Sequence, residues 1–220
     1  MKDVAAGSRA CTITDPDRLN RIKDPTVALV LWHRHLPVDL SQAIGSTAPD
    51  RLPQLHILAL VEDVGAALHA YPAPGLWHGN AARAALIADM ADLAQRFARV
   101  MASDRVDIRL EATADDACWK FHRDHVAARL VTTYRGPGTQ YVACADADAA
   151  LADQRAYGGP VQTLPTHAVG LFKGALGPGT SGIVHRSPPI AGSGTTRLVL
   201  VLNLPGPTSP DLWSPPPRKA

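Results

Sequence analysis

His122 and Asp124, in the stretch Cys118-Trp-Lys-Phe-His-Arg-Asp-His125, have the types and the spacing to hold a metal ion. On an extended strand, residues two apart project to the same face, so an imidazole and a carboxylate would converge there. A third ligand must come from elsewhere in the chain. His185, in Gly182-Ile-Val-His185-Arg-Ser-Pro-Pro, is the candidate. Two imidazoles and one carboxylate are the donor set that suits a non-haem Fe(II) with open coordination positions. Beyond His185 the run SPPIAGSGT is rich in turn residues. A hairpin centred near Ala191 would set Arg197 opposite His185, about 5 Å away at Cβ. A guanidinium recognises a carboxylate bidentately. The expected ligand therefore chelates the metal at one end and carries a carboxylate at the other, a shape that 2-oxoglutarate has.

Neighbouring residues leave alternatives open. A regular strand turns His125 to the face opposite His122, and a bulge would exchange the two. Cys118 together with His125 would make a softer site that prefers zinc. The plainest reading makes His122 and Asp124 a satisfied polar pair on a barrel wall, with Arg197 as counter-ion. His33-Arg-His35 repeats the spacing without a carboxylate and reads as a strand end. Gly136-Pro-Gly138 and Gly177-Pro-Gly179 are turn chemistry, and no serine sits in a G-x-S-x-G setting.

The elements that must position these groups change character along the 220 residues. The first half reads as mostly helical after one buried strand at 27–32. Residues 55–71 have apolar residues at helical spacing. Residues 79–103 form a second amphipathic pattern, with Ala85, Ile87, Met90, Leu93, Phe97 and Val100 on one broad face and Asn80 as N-cap. From residue 106 the chain becomes short β-like runs at 106–110, 119–124, 130–134, 139–143, 168–172, 182–186 and 197–204. The tail from Pro205 is proline-rich and reads as extended or disordered.

Composition bounds the rest. Hydrophobic residues at 46% and charged residues at 19% describe a globular chain, and aromatics at 5% leave the core to aliphatic packing. Twenty-two basic against 20 acidic residues give a net charge of +2, too even for an electrostatic nucleic-acid binder. The longest apolar runs fall far short of a membrane span. The first residues lack the apolar stretch of a signal peptide, and three cysteines without a C-x-x-C pair suggest no disulfide framework. A cytoplasmic location is expected.

The order His-x-Asp, distal histidine and then arginine resembles the double-stranded β-helix of Fe(II)/2-oxoglutarate-dependent oxygenases of the prolyl-hydroxylase-like kind. Arg129-Leu-Val-Thr-Thr-Tyr134 and Gly138-Thr-Gln-Tyr141 resemble the strands that follow the His-x-Asp motif there. The chain is more closely similar to a bacterial family, domain of unknown function 1826. The phrases that carry this are Phe121-His-Arg-Asp124, Thr133-Tyr-Arg-Gly-Pro-Gly-Thr139, His185-Arg-Ser-Pro-Pro189 and Arg197-Leu-Val-Leu200. The resemblance covers most of the chain and is strongest over 106–204.

It implies an α+β protein with three regions. A helical region, 1–105, buttresses a jelly-roll or cupin-like double-stranded β-helix, 106–204, followed by a flexible proline-rich tail, 205–220. It implies His122, Asp124 and His185 as metal ligands and Arg197 as the anchor of the co-substrate carboxylate, with Tyr134 or Thr132 adding a hydroxyl. His125 and Cys118 stand behind these as alternative ligands. The cofactors implied are Fe(II), or zinc, with 2-oxoglutarate as co-substrate. The activity implied is that of an oxidoreductase acting on a small molecule or peptide, with no nucleic acid or membrane partner. A non-catalytic zinc-handling protein or a catalytically silent scaffold would use the same pocket.

Overall fold

The computed structural model describes residues 10–71, 81–179 and 182–215. The chain forms two compact units, one from Met1–His35 and Thr113–Val199, the other from Leu36–Ala112 and Leu200–Ala220.

The first unit is built on β-sheets. Strand β1 (Ala10–Ile13) runs parallel to β2 (Leu29–Trp32), and the 3-10 turn Pro16–Lys23 between them buries Leu19 and Ile22. Asp15 starts that turn by accepting from the Asp17 N–H, an N-cap that meets one of the orphan donors. Pairing antiparallel with β2 is β8 (Val169–Lys173), and with β8 is β5 (Ala128–Arg135). Next to β5 lies β10 (Arg197–Asn203), whose first residues belong to this unit. A smaller antiparallel sheet holds β6 (Gln140–Tyr141), β7 (Gln162–Thr163) and β9 (His185–Arg186) in the order β7-β6-β9. His122 joins it through a single antiparallel bridge to His185.

Followed along the chain, His122 lies in the small sheet, β5 in the large, β6 and β7 in the small, β8 in the large, β9 in the small and β10 in the large. This alternation is the winding of a double-stranded β-helix. The two layers touch where Phe172 of β8 packs on His185 of β9, with ring centroids 4.8 Å apart. Outside the small sheet, helix α4 (Ala147–Asp153) helps cover a cluster of Phe121, Val142, Ala147, Ala150 and Val184.

Two expectations about this unit need correcting. The region 1–105, expected to be helical apart from a strand at 27–32, opens on a second strand as well, because β1 joins β2 at the edge of the large sheet. LVLW is apolar and almost wholly buried, whereas ACTI buries only Ile13, and each run finds a ladder partner. The hairpin joining His185 to Arg197 does not form, because β9 and β10 lie in different sheets. Pro188 and Pro189 have no N–H for a ladder. The N–H groups of Ile190 and Ala191 are both taken by Asp116 Oδ1 at 2.8 Å. The segment is therefore gripped at its middle and crosses between layers.

The second unit carries the long helices. It contains α1 (Val38–Ser46), β3 (Leu55–Leu60), α2 (Val64–Ala70), α3 (Ala81–Met101) and nearly all of β4 (Arg105–Thr113). Residues 55–71, expected as one helix, split into β3, the 3-10 turn Val61–Asp63 and α2. The apolar run LHILAL satisfies either period, and pairing with β4 from Leu55↔Leu110 to Leu60↔Arg105 decides for the strand. Helix α3 buries Leu86, Ile87, Met90, Leu93, Ala94, Phe97, Ala98 and Val100, close to the expected face, with Ala85 only half-buried. The expected N-cap Asn80 lies outside the described residues. Phe97 is fully buried. Phe97→Ala is expected to lower unfolding stability by about 3–5 kcal/mol, read as a lower denaturant midpoint.

The tail is held as far as it is described. Trp213 N–H donates to Leu58 O at 2.7 Å, Leu212 bridges Leu58, and Ser209 Oγ donates to Asp107 Oδ2 at 2.5 Å. Among the described residues no helix is long and apolar enough to cross a membrane.

Candidate metal centre

Backbone pairing brings the two histidines together. His122 and His185 exchange both main-chain hydrogen bonds, each 3.0 Å, as directly opposed antiparallel residues do. Their rings lie 4.6 Å apart between centroids. On its other side His185 pairs with Tyr141 of β6. Among the described residues the stretch before His122 has no such second neighbour, and a side chain substitutes for one. Gln154, at φ 52 just beyond α4, accepts from Phe121 N–H through Oε1 at 2.9 Å and donates from Nε2 to Phe121 O at 3.1 Å.

Asp124 projects to the same side as His122. Its Oδ1 lies 3.5 Å from His122 Nε2, and its Oδ2 lies 3.3 Å from His185 Nε2. Donor atoms of the three residues all fall within 4.8 Å of one another. Both imidazoles are set with the same polarity. His122 Nδ1 lies 2.8 Å from Lys120 O and His185 Nδ1 lies 3.1 Å from Ile183 O. A carbonyl only accepts, so each Nδ1 carries the proton and each Nε2 keeps its lone pair for the centre. This is the arrangement that orients histidine ligands of metals.

The carboxylate is nearly sealed, with 5% side-chain exposure. Burial alone would raise its pKa. The Arg129 guanidinium, and the imidazoles of His122 and His185 when they carry a second proton, outweigh that and hold it far below the usual carboxylate range. The hydrogen bond to Asp124 raises His122 above the ordinary 6.5, against an opposing effect of burial. Asp124 Oδ2 is buried and has no hydrogen-bond partner. An orphaned anionic oxygen in such a place calls for a cation.

His125 and Cys118 are exposed and stand outside this group, so neither the bulge exchange nor the softer sulfur-containing set forms. Cys118 has φ 51 and its carbonyl receives the Ser187 N–H. Strand alternation turns Thr132 and Tyr134 to the face opposite Arg129. It is Arg129 that reaches the centre, donating from Nη1 to Asp124 Oδ1 at 2.6 Å. The Thr132 hydroxyl instead donates to Ala168 O at 3.0 Å.

Arg197 is 2% exposed and donates from Nε to Pro137 O at 2.8 Å. Gly136 lets the loop pass this close: at φ +80, a Cβ there would lie 3.0 Å from Arg197 Cγ and 2.9 Å from Thr196 O. Nη2 is buried and unpartnered, and no carboxylate pairs with Arg197 among the described residues. Burial lowers its pKa to about 10, with the Cys118 sulfur opposing, so it stays protonated at neutral pH.

A family model described as "Protein of unknown function (DUF1826)" matches residues 13–203. The chain belongs to this family. No curated protein matches it. Among solved structures it is similar to AviO1 from Streptomyces viridochromogenes Tue57, at 14% identity and a TM-score of 0.45, covering 90% of this chain and 98% of that one. It is similar to a Pseudomonas putida prolyl-4-hydroxylase at 13% identity and a TM-score of 0.43, covering 86% and 93%. A third is the Kdo hydroxylase KdoO, described as a non-heme Fe(II) alphaketoglutarate dependent dioxygenase, in complex with cobalt(II). It has 10% identity and a TM-score of 0.46, with 89% of each chain covered.

Proposed function

We propose that this chain is an Fe(II)- and 2-oxoglutarate-dependent oxygenase, with His122, Asp124 and His185 holding the metal and Arg197 holding the far carboxylate of 2-oxoglutarate. The observation that carries this reading is the buried, unpartnered Asp124 Oδ2 beside His185 Nε2, with His122 Nε2 close by. Two nitrogens and one oxygen suit divalent iron and leave coordination positions free, whereas a structural zinc site is closed by a fourth ligand. The described residues offer three ligands and no sulfur.

When bound, the iron and 2-oxoglutarate supply the oxidising chemistry. The chain's own part is placement. The carbonyls of Lys120 and Ile183 fix the tautomers and ring orientations of the two histidines. Phe172 backs His185 with an apolar ring. Asp124, almost out of water, offers its charge in a setting of low dielectric, where it acts more strongly than at the surface. The Arg197 guanidinium, unable to lose its proton at neutral pH, waits with an unspent donor for an anion.

Anaerobic titration with Fe(II) and then 2-oxoglutarate tests this. The expected result is a weak visible charge-transfer band that needs both additions and is absent in His122→Ala. Metal uptake with no response to 2-oxoglutarate would overturn the oxygenase reading, and no metal uptake would overturn the centre itself.

A further inference from the structure

We infer that Arg129 is a positioning residue that restricts Asp124 to metal binding through one oxygen, and so keeps room for the dicarboxylate. This rests on the proposed iron and 2-oxoglutarate centre and assigns the one charged group there that the reading leaves without a task.

The two oxygens of Asp124 have different surroundings. Oδ1 receives the Arg129 Nη1 donor at 2.6 Å, a short charge-assisted bond. Oδ2 is buried without a hydrogen-bond partner, 3.3 Å from His185 Nε2. The carboxylate is nearly sealed and the guanidinium half-buried, with side-chain exposures of 5% for Asp124 and 28% for Arg129. Arg129 is placed by β5, where its register partner in β8 is Phe172, the residue that backs His185. The same strand pair thus sets both the ring behind one ligand and the guanidinium behind another.

Two consequences follow. A carboxylate free to rotate can bind a cation through both oxygens and take one more coordination position. With Oδ1 held by Arg129, that position stays open for a chelating ligand. The guanidinium also offsets the carboxylate charge. A divalent cation with Arg129 beside it leaves the centre strongly positive, which favours a doubly charged anion over a neutral one.

The test compares wild type, Arg129→Met and Arg129→Lys, with Co(II) in place of iron, following metal and 2-oxoglutarate affinities by calorimetry and the cobalt visible spectrum. In Arg129→Met, Co(II) affinity is expected to stay within about tenfold of wild type, while the affinity of the cobalt-loaded protein for 2-oxoglutarate falls about 10–100-fold. The cobalt bands should weaken before any 2-oxoglutarate is added, because an added oxygen donor raises the coordination number. Arg129→Lys, which keeps a charged donor, should recover most of the 2-oxoglutarate affinity. Unchanged 2-oxoglutarate affinity in Arg129→Met would overturn the inference, as would loss of Co(II) from a variant that remains folded. If Arg129→Met does not fold, Arg129→Gln takes its place in the same comparison. Should wild-type cobalt protein ignore 2-oxoglutarate, the oxygenase reading fails, and the spectral difference between wild type and variant still decides the role of Arg129.

Discussion

His185→Ala is expected to weaken Fe(II) or Co(II) binding by more than about 100-fold, because a direct ligand should cost at least as much as the outer partners of metal ligands do. The fold should survive the change. His185 is held in its sheet by main-chain bonds to His122 and by its pairing with Tyr141, both of which alanine keeps. The ring contributes its contact with Phe172 and its Nε2, 3.3 Å from Asp124 Oδ2. Its removal takes away an imidazole nitrogen beside the unpartnered oxygen. Calorimetric titration and the cobalt absorption bands measure the loss, and circular dichroism confirms the fold. A folded variant that binds cobalt as wild type does would show that the ion sits elsewhere. Binding should also depend on pH in a defined direction. A proton on His122 Nε2 competes with the metal, and the hydrogen bond to Asp124 raises the pKa of that group above 6.5. Affinity should therefore begin to fall, as pH is lowered, at a higher pH than an isolated imidazole would give.

The three residues of the candidate centre were legible as a group because the signal is local in two of the three cases. His122 and Asp124 need only an extended backbone to share a face, and a single bridge at His122 provides it. His185 was legible as an unexplained histidine in an apolar run. Its true partner across the strands is His122, and the expected pairing with Arg197 fails. That error has a physical source: consecutive prolines and the Asp116 carboxylate carry the chain out of one sheet and into the other. Arg129 was missed for a related reason. Which face of β5 looks at Asp124 depends on how the loop after Asp124 enters the strand, and alternation then turns Thr132 and Tyr134 away from Arg129 together. An arginine at the start of a strand, shortly after the candidate aspartate, was the available signal. Gln154 had none, because its amide substitutes for a missing strand only once the barrel and α4 are assembled. In the second unit, β3 hid inside a helical pattern because a short apolar run fits both periods until β4 supplies its ladder.

Arg197→Met is expected to reduce the affinity of the metal-loaded protein for 2-oxoglutarate by roughly 100-fold or more, while leaving metal affinity nearly unchanged. The guanidinium is 2% exposed, and of its donors Nε is spent on Pro137 O while Nη2 has no partner. A carboxylate reaching it would gain charge-assisted hydrogen bonds worth about 1.5–3 kcal/mol each, so losing two gives at least a hundredfold change. Arg197→Lys should not restore binding, because a single ammonium lacks the fork that meets both carboxylate oxygens. Stability should move the other way. Without an anion, the buried guanidinium is a charge taken out of water and incompletely bonded, and burial has already drawn its pKa down to about 10. Replacing such a charge by an apolar chain of similar size is typically neutral or stabilising. The unliganded Arg197→Met protein should therefore melt no lower than wild type, and 2-oxoglutarate should raise the melting temperature of metal-loaded wild type alone. A variant that melts much lower and still binds 2-oxoglutarate would make Arg197 a structural pin for the Gly136 loop and remove it from the anion site.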